Sequence, residues 1–231
     1  MVDKTPARVR AMFDQISPRY DLLNRLLSLG ADVLWRRRAA ARLGGARRVL
    51  DVCSGTGDLA LEIHRRWGIP VVGTDFSPAM LRIGRRKAAR SGATQSVRFQ
   101  AGDTLRLPFR DGAFDACAAA FGLRNLWDAD RGIAEMARVV RPGGRVLILE
   151  FTLPANPILR LAYRLYFDHL LPRLGRLIAR PRTDAYRYLP DSVARWSRPD
   201  ELKERMERGG LRDVSFELLF GGIAAIHSAS R

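Results

Sequence analysis

The stretch Val49-Leu50-Asp51-Val52-Cys53-Ser54-Gly55-Thr56-Gly57-Asp58 constrains this chain more than any other. A short apolar run ends in an acid and passes at once into two closely spaced glycines and then into helix-forming residues. Apolar runs of this length bounded by glycine read as a buried strand, and Gly55 and Gly57 let the backbone turn sharply and approach a ligand. Gly55, Gly57 and Ala60 fit G-x-G-x-x-A, and Asp75 follows at the distance where a second strand presents an acid to ribose hydroxyls.

From about residue 48 to 151, apolar runs of strand length alternate with amphipathic stretches of helix length, the pattern of βαβ units and a parallel sheet. Strands are expected at 48–53, 71–75, 97–100, 114–120 and 145–151, with helices over 57–67, 78–91 and 129–140. Ser77-Pro78 gives the second helix a cap and a proline at its first position, and Arg141-Pro142-Gly143-Gly144 ends the third and turns the chain into a strand. A helical insert at 153–197 and a helix at 198–209 precede two further strands, 212–219 and 223–228. The Gly221-Gly222 pair between those strands implies an antiparallel hairpin. The expectation is an α/β fold: one domain over 1–231, opened by a helical segment at 1–47, with a mostly parallel seven-stranded sheet closed by a C-terminal antiparallel hairpin.

The glycine loop alone fits either a nicotinamide dinucleotide or S-adenosylmethionine. Asp51 and Asp58 favour the second. A pyrophosphate belongs on a helix N-terminus, where acids would repel it, whereas S-adenosylmethionine carries an ammonium and a sulfonium. Asp58 could also serve only to stabilise the helix start. Gly102-Asp103-Thr104 follows the third strand, where Asp103 can accept the adenine amino group. Ser54 belongs to the same loop and is counted with the expected cofactor residues. No metal is expected, because Cys53 and Cys117 are the only cysteines and show no metal-ligand spacing with each other or with His64, His169 and His227.

The net charge of +16 favours polyanions, yet only Lys4, Lys87 and Lys203 among 40 basic residues are lysines and the rest are spread along the chain as arginines. That pattern, without a nucleic-acid-binding module or an Asn-Pro-Pro-Tyr-like motif, argues against a nucleic-acid methyltransferase, which stays a rival with an NAD-dependent oxidoreductase and a non-catalytic scaffold. No run approaches the roughly 20 apolar residues of a membrane span and no signal segment opens the chain, so a cytoplasmic protein is expected.

Three stretches carry a resemblance to a known family: 13–24, reading Phe-Asp-Gln-Ile-Ser-Pro-Arg-Tyr-Asp-Leu-Leu-Asn; the glycine loop; and Phe121-Gly122-Leu123-Arg124-Asn125 running on to the Pro-Gly-Gly at 142–144. They resemble the C-methyltransferases of ubiquinone and menaquinone biosynthesis, and the likeness extends to the final Gly-Gly-Ile-Ala-Ala-Ile-His at 221–227. The resemblance implies a Rossmann-like class I methyltransferase fold and methyl transfer from S-adenosylmethionine to a ring carbon of a polyprenylated quinol. It favours demethylmenaquinol, with a benzoquinol as the alternative.

Cofactor contacts implied by the resemblance fall on Thr56, Asp75, Asp103 and Thr104. Arg124, Asn125 and Tyr20 are implied to assist loss of the quinol proton. An arginine is a poor base, so Arg124 reads better as a group that stabilises developing negative charge. Ala120 departs from the family pattern, in which many members place a serine before the Phe-Gly pair. Finally, leucines and isoleucines alternate with Arg160, Arg164, Arg173 and Arg176 over 158–178, a basic amphipathic pattern suited to a lid and a peripheral contact with lipid. A homo-oligomer is left open.

Overall fold

The computed structural model describes residues 5–165 and 185–231. In chain order the elements are α1 (Pro6–Ile16), a 3-10 turn (Ser17–Arg19), α2 (Tyr20–Leu27), α3 (Ala31–Ala41), β1 (Val49–Val52), α4 (Asp58–Trp67), β2 (Val71–Asp75), α5 (Pro78–Arg90), β3 (Val97–Ala101), β4 (Phe114–Ala120), a 3-10 turn (Leu123–Asn125), α6 (Ala129–Val139), β5 (Val140–Phe151), α7 (Pro157–Leu165), α8 (Ala185–Ala194), α9 (Pro199–Arg208), β6 (Arg212–Leu219) and β7 (Ala224–Ser230). The seven strands form one sheet in the order β3-β2-β1-β4-β5-β7-β6. The first five run parallel, while β7 lies antiparallel between β5 and β6.

Strand order reverses between β1 and β4, which makes that boundary the place where a doubly wound sheet opens a crevice at its carboxyl edge. Both strands are buried on both faces because helices cover both. Val49 of β1 packs with Trp35, Leu43, Ile63 and Leu81 on one side. Leu50 and Val52 pack with Ile133, Met136, Leu202 and Met206 on the other. Asp51 shares Val49's side by strand alternation, so its carboxyl is carried into an apolar interior.

The expected elements agree with the observed ones to within a residue or two, with one difference. β5 begins at Val140, five residues earlier than its apolar run suggested. Arg141-Pro142-Gly143-Gly144 does not leave the sheet; it forms an irregularity, with a register shift against β4 between Phe114 and Ala116 and Gly143 at φ 72°. Pro142 is exposed there, where no ladder hydrogen bond is lost.

Only parts of the insert fall in the described residues. α7 and α8 are helical, and the remaining portion of the 158–178 amphipathic pattern, with Arg173, Arg176 and His169, lies outside the described residues. Among the described residues no helix is long and apolar enough to cross a membrane.

Candidate active site

A cavity of about 410 Å³ opens at the carboxyl edge of the sheet, beside the reversal point. Two non-glycine residues beyond the strand ends shape it: Cys53 after β1 at φ 51° and Phe121 after β4 at φ 60°. Left-handed backbone at such residues is strained and is kept where the surroundings impose it, often at binding sites. Here the two turns pack against each other. A Cβ on Gly122 would lie 2.3 Å from Cys53 Cβ, so only glycine lets the turns meet. Gly57 is bound twice over, by its φ of 82° and by the Phe99 ring 2.3 Å from where a Cβ would stand.

The expected cofactor residues divide into those on the cavity wall and those behind it. Gly55, Asp75, Asp103 and Thr104 line the cavity. The Asp75 carboxylate is 6% exposed and accepts hydrogen bonds from the Gly55 amide at 2.8 Å and the Ser77 amide at 2.9 Å. Burial pushes its pKa up to about 6 against those amide bonds. With each oxygen already pinned by one amide, its remaining lone pairs can serve a neighbouring pair of hydroxyls. One Asp103 oxygen accepts from the Leu105 amide at 2.9 Å, and the Thr104 hydroxyl meets Cys53 Sγ at 3.3 Å.

Four other residues lie behind the wall. Asp58, expected beside the cofactor's cationic groups, pairs with Arg25 at 2.9 Å and Lys87 at 2.6 Å and borders a second cavity on the outer side of α4. Burial would raise its carboxyl, but Arg36, Lys87 and Arg25 together hold it below the usual range. Thr56 is buried and donates its hydroxyl to Asp21 at 2.5 Å, with Lys87 also bonded to it. Both residues tie the N-terminal helices to the loop instead of facing the cavity, each following a left-handed glycine, Gly55 at φ 53° for Thr56 and Gly57 at φ 82° for Asp58. Asp51 accepts from the Ala60 amide at 3.1 Å, and burial drives its carboxyl up to about 8. Its second oxygen and the Ser54 hydroxyl are buried without partners among the described residues.

At the β4 side, Tyr20 and Asn125 line the cavity. Asn125 donates to the Phe121 carbonyl at 3.4 Å, and its own side-chain carbonyl oxygen is buried with no partner among the described residues. Burial raises the Tyr20 hydroxyl, against an Asn24 hydrogen bond and the charges of Arg36 and Arg124. Arg124 itself is not on the wall. It is 5% exposed, 2.7 Å from Glu150, and it also donates to the Phe121 carbonyl. A guanidinium neutralised by a buried carboxylate acts on a ligand mainly by orienting its neighbours, so Arg124 stands one layer further back than the resemblance implied. Ala120 packs into the Trp35 cluster and puts no hydroxyl near the cavity.

Several wall residues were not legible beforehand. Val9 and Phe13 of α1, with Met80 of α5, bring apolar surface to the cavity, and Asp14 latches α1 in place by accepting from the Ser77 hydroxyl at 2.5 Å. Phe13 and Asp14 open the 13–24 stretch of the resemblance, which gave them no role; for Val9 and Met80 the only sequence signal is amphipathic spacing, which every surface helix shares. His64 contacts the Ile69 carbonyl and His227 the Pro199 carbonyl, and neither lines the cavity.

The wall suits S-adenosylmethionine: a buried carboxylate able to take ribose hydroxyls, an apolar slot at Phe76, Met80 and Leu105, and Asp103 able to accept from an amino group. The fold and this wall define an S-adenosylmethionine-dependent methyltransferase. A solved Thermotoga maritima methyltransferase of that type, a possible histamine N-methyltransferase, has the same fold at a TM-score of 0.69 and 17% identity, covering 96% of this chain and 99% of that one. The chain belongs to the ubiE/COQ5 methyltransferase family, whose model matches residues 1–231. It is 51% identical to the demethylmenaquinone methyltransferase of Thermus thermophilus, over 95% of this chain and all of that protein. The corresponding enzyme of Deinococcus radiodurans is 50% identical, over 92% of this chain and 88% of that protein. Membership of this family sets aside the oxidoreductase reading.

Proposed function

We propose that this enzyme transfers the methyl group of S-adenosylmethionine to a ring carbon of a polyprenylated quinol, and that demethylmenaquinol is the substrate. The whole-length similarity to two demethylmenaquinone methyltransferases supports the choice of ring. The observation that carries the chemistry is the Phe121–Asn125 turn, where the Asn125 carbonyl oxygen sits buried and unpaired in a residue of the cavity wall.

A ring carbon becomes nucleophilic when the neighbouring hydroxyl gives up its proton. Bound in the cavity, S-adenosylmethionine supplies a sulfonium-activated methyl group, an electrophile that needs no metal. Asp75 and Gly55 hold the ribose end. Asn125 Oδ1 accepts the quinol hydroxyl proton in a hydrogen bond and so orients the ring. Tyr20, kept protonated by burial, donates to the oxygen as negative charge builds on it. In net terms the S–CH₃ bond would break to leave S-adenosylhomocysteine, the ring C–H becomes C–CH₃, and one proton passes to solvent water. Alignment of this kind can contribute about 7–11 kcal/mol to a barrier, more than a single placed acid or base.

The test incubates the protein with methyl-labelled S-adenosylmethionine and, separately, dithionite-reduced 2-farnesyl-1,4-naphthoquinone and a reduced prenylated benzoquinone. Label in the naphthoquinol is expected; label in neither overturns the reading, and label only in the benzoquinol moves the substrate assignment.

A prenyl tail loses about 0.8 kcal/mol for each methylene drawn out of lipid, so the reading includes a peripheral contact with the inner face of the membrane. Leu29, Ile158 and Phe220 support it, being 84%, 80% and 56% exposed. Leu29 and Phe220 hold φ of 51° and 49°, conformations unusual for large apolar residues. Flotation with anionic vesicles is expected for the intact protein and reduced by Leu29→Ser with Phe220→Ser; no flotation of the intact protein overturns this part. We also read residues 1–231 as one domain, since α1 and α3 pack directly on the sheet's own helices.

A further inference from the structure

The wall residues account for Tyr20 and Asn125 but leave a second phenol unexplained. Tyr188 on α8 has its hydroxyl oxygen buried with no partner among the described residues. A buried hydroxyl without a partner is costly, and native structures tolerate one mainly where a ligand or water completes it.

Its surroundings indicate which ligand. α8 packs on the Leu123–Asn125 turn, and Ser192, one helical turn after Tyr188 and on the same face, receives the Arg124 Nε at 3.4 Å. Arg124 is in turn anchored by Glu150, which accepts both its guanidinium at 2.7 Å and its backbone amide at 3.1 Å. Burial raises the Tyr188 hydroxyl, and the charges of Arg124 and Glu150 act on it more weakly. The Tyr20 hydroxyl also feels Arg124. Two phenols, one from α2 and one from α8, therefore lie within the field of a single buried guanidinium. Arg124 and Asn125 both donate to the Phe121 carbonyl, which fixes the cofactor wall and the α8 side to one turn. A quinol has two ring oxygens on opposite sides of the ring, and Tyr20 with Asn125 provides for one.

We infer that Tyr188 is a substrate-contacting residue whose hydroxyl hydrogen-bonds the second ring oxygen of the quinol, with Arg124 and Glu150 as positioning residues behind it. This inference rests on the proposed function and extends it to the far side of the ring.

The experiment compares Tyr188→Phe with the unsubstituted protein by steady-state methylation of reduced 2-farnesyl-1,4-naphthoquinone, calorimetric binding of S-adenosylhomocysteine, and thermal unfolding. The expected result is a KM for the quinol raised about tenfold, the size of one ordinary hydrogen bond, with S-adenosylhomocysteine affinity unchanged. The melting temperature should hold or rise, because the substitution removes an unpaired buried hydroxyl. A purely structural tyrosine would give a lower melting temperature with kinetics unmoved. Equal KM and kcat in the two proteins overturn the inference while leaving the function standing, and so does a KM change matched by an equal loss of S-adenosylhomocysteine affinity. Failure of the unsubstituted protein to methylate the probe overturns both.

Discussion

Asp75 at the end of β2 and Glu150 near the end of β5 are buried carboxyls on the same rim of the sheet, 6% and 1% exposed, and they are held in different ways. Asp75 takes backbone amides from the glycine loop and from the turn into α5. Glu150 takes the Arg124 side chain together with the amides of Arg124 and Phe151. The cofactor end is thus built from main chain, which any sequence with the right glycines and turns can supply, and it keeps the outer lone pairs of its acid for a ligand. The acceptor end is built from paired side chains, and its ligand-directed groups are the orphans beside that pair, Asn125 and Tyr188. An acid held by backbone can be altered at the expense of binding, whereas an acid that neutralises a buried cation cannot be altered without loss of stability.

The largest effect should come from Glu150→Ala. It leaves Arg124 charged and unpaired in the interior, a loss of about 3–5 kcal/mol, measurable by urea unfolding. A cost below about 1 kcal/mol would break the contrast between the two acids. Asp75→Asn should cost less, about 1–3 kcal/mol, because one of the two amides loses its acceptor, and should weaken S-adenosylhomocysteine about 100-fold by calorimetry, since a charged acceptor for ribose hydroxyls is worth about 1.5–3 kcal/mol per bond.

The same acid sets a pH dependence. Its folded-state pKa, about 6, lies above the ordinary aspartate value. In the cofactor-free protein its contribution to stability is therefore fully present below about pH 4 and is lost as pH rises through 6. Cofactor binding favours the ionised form and runs the other way. S-adenosylhomocysteine affinity should fall about tenfold per pH unit below about pH 6, with proton uptake detectable in buffers of different ionisation enthalpy, and Asp75→Asn should abolish the slope. Gly122→Ala drives a methyl group into Cys53 where the two turns meet, an overpacking cost of about 1–3 kcal/mol that thermal unfolding would register. The smallest effect is expected from Asp58→Asn, less than about threefold on S-adenosylhomocysteine affinity, because Asp58 faces Arg25 and Lys87 and not the cofactor. A large effect there would return Asp58 to the cofactor site and weaken the division between wall and support.

Much of the cofactor end was legible because its signals are local. Gly57 is needed for its own φ, Asp75 for its place at a strand end, and Ser77 for the cap on α5, where its hydroxyl accepts from the Met80 amide at 3.2 Å. Asp58 and Thr56 stand behind the wall for a reason that sequence does not contain: which way a side chain points after a left-handed glycine, and that Arg25, Asp21 and Lys87 wait there. Glu150 escaped notice as the last acid of an apolar strand, and Tyr188 as one tyrosine among five.

By itself, then, the sequence determined the alternation of strands and helices, the sharp turn at Gly55 and Gly57, the acid Asp75 at the end of β2, and the family to which the Phe121–Asn125 stretch points. These depend on backbone conformation and periodic burial, which neighbouring residues decide. Only the tertiary structure decided that Arg124 is neutralised by Glu150, that Asp58 supports the fold from outside the cavity, and that Asn125 and Tyr188 keep oxygens unpaired among the described residues. A side chain's charge and hydrogen bonds are completed by whatever distant segments the fold brings against it, and nothing within a few residues of Arg124 names an acid 26 positions away.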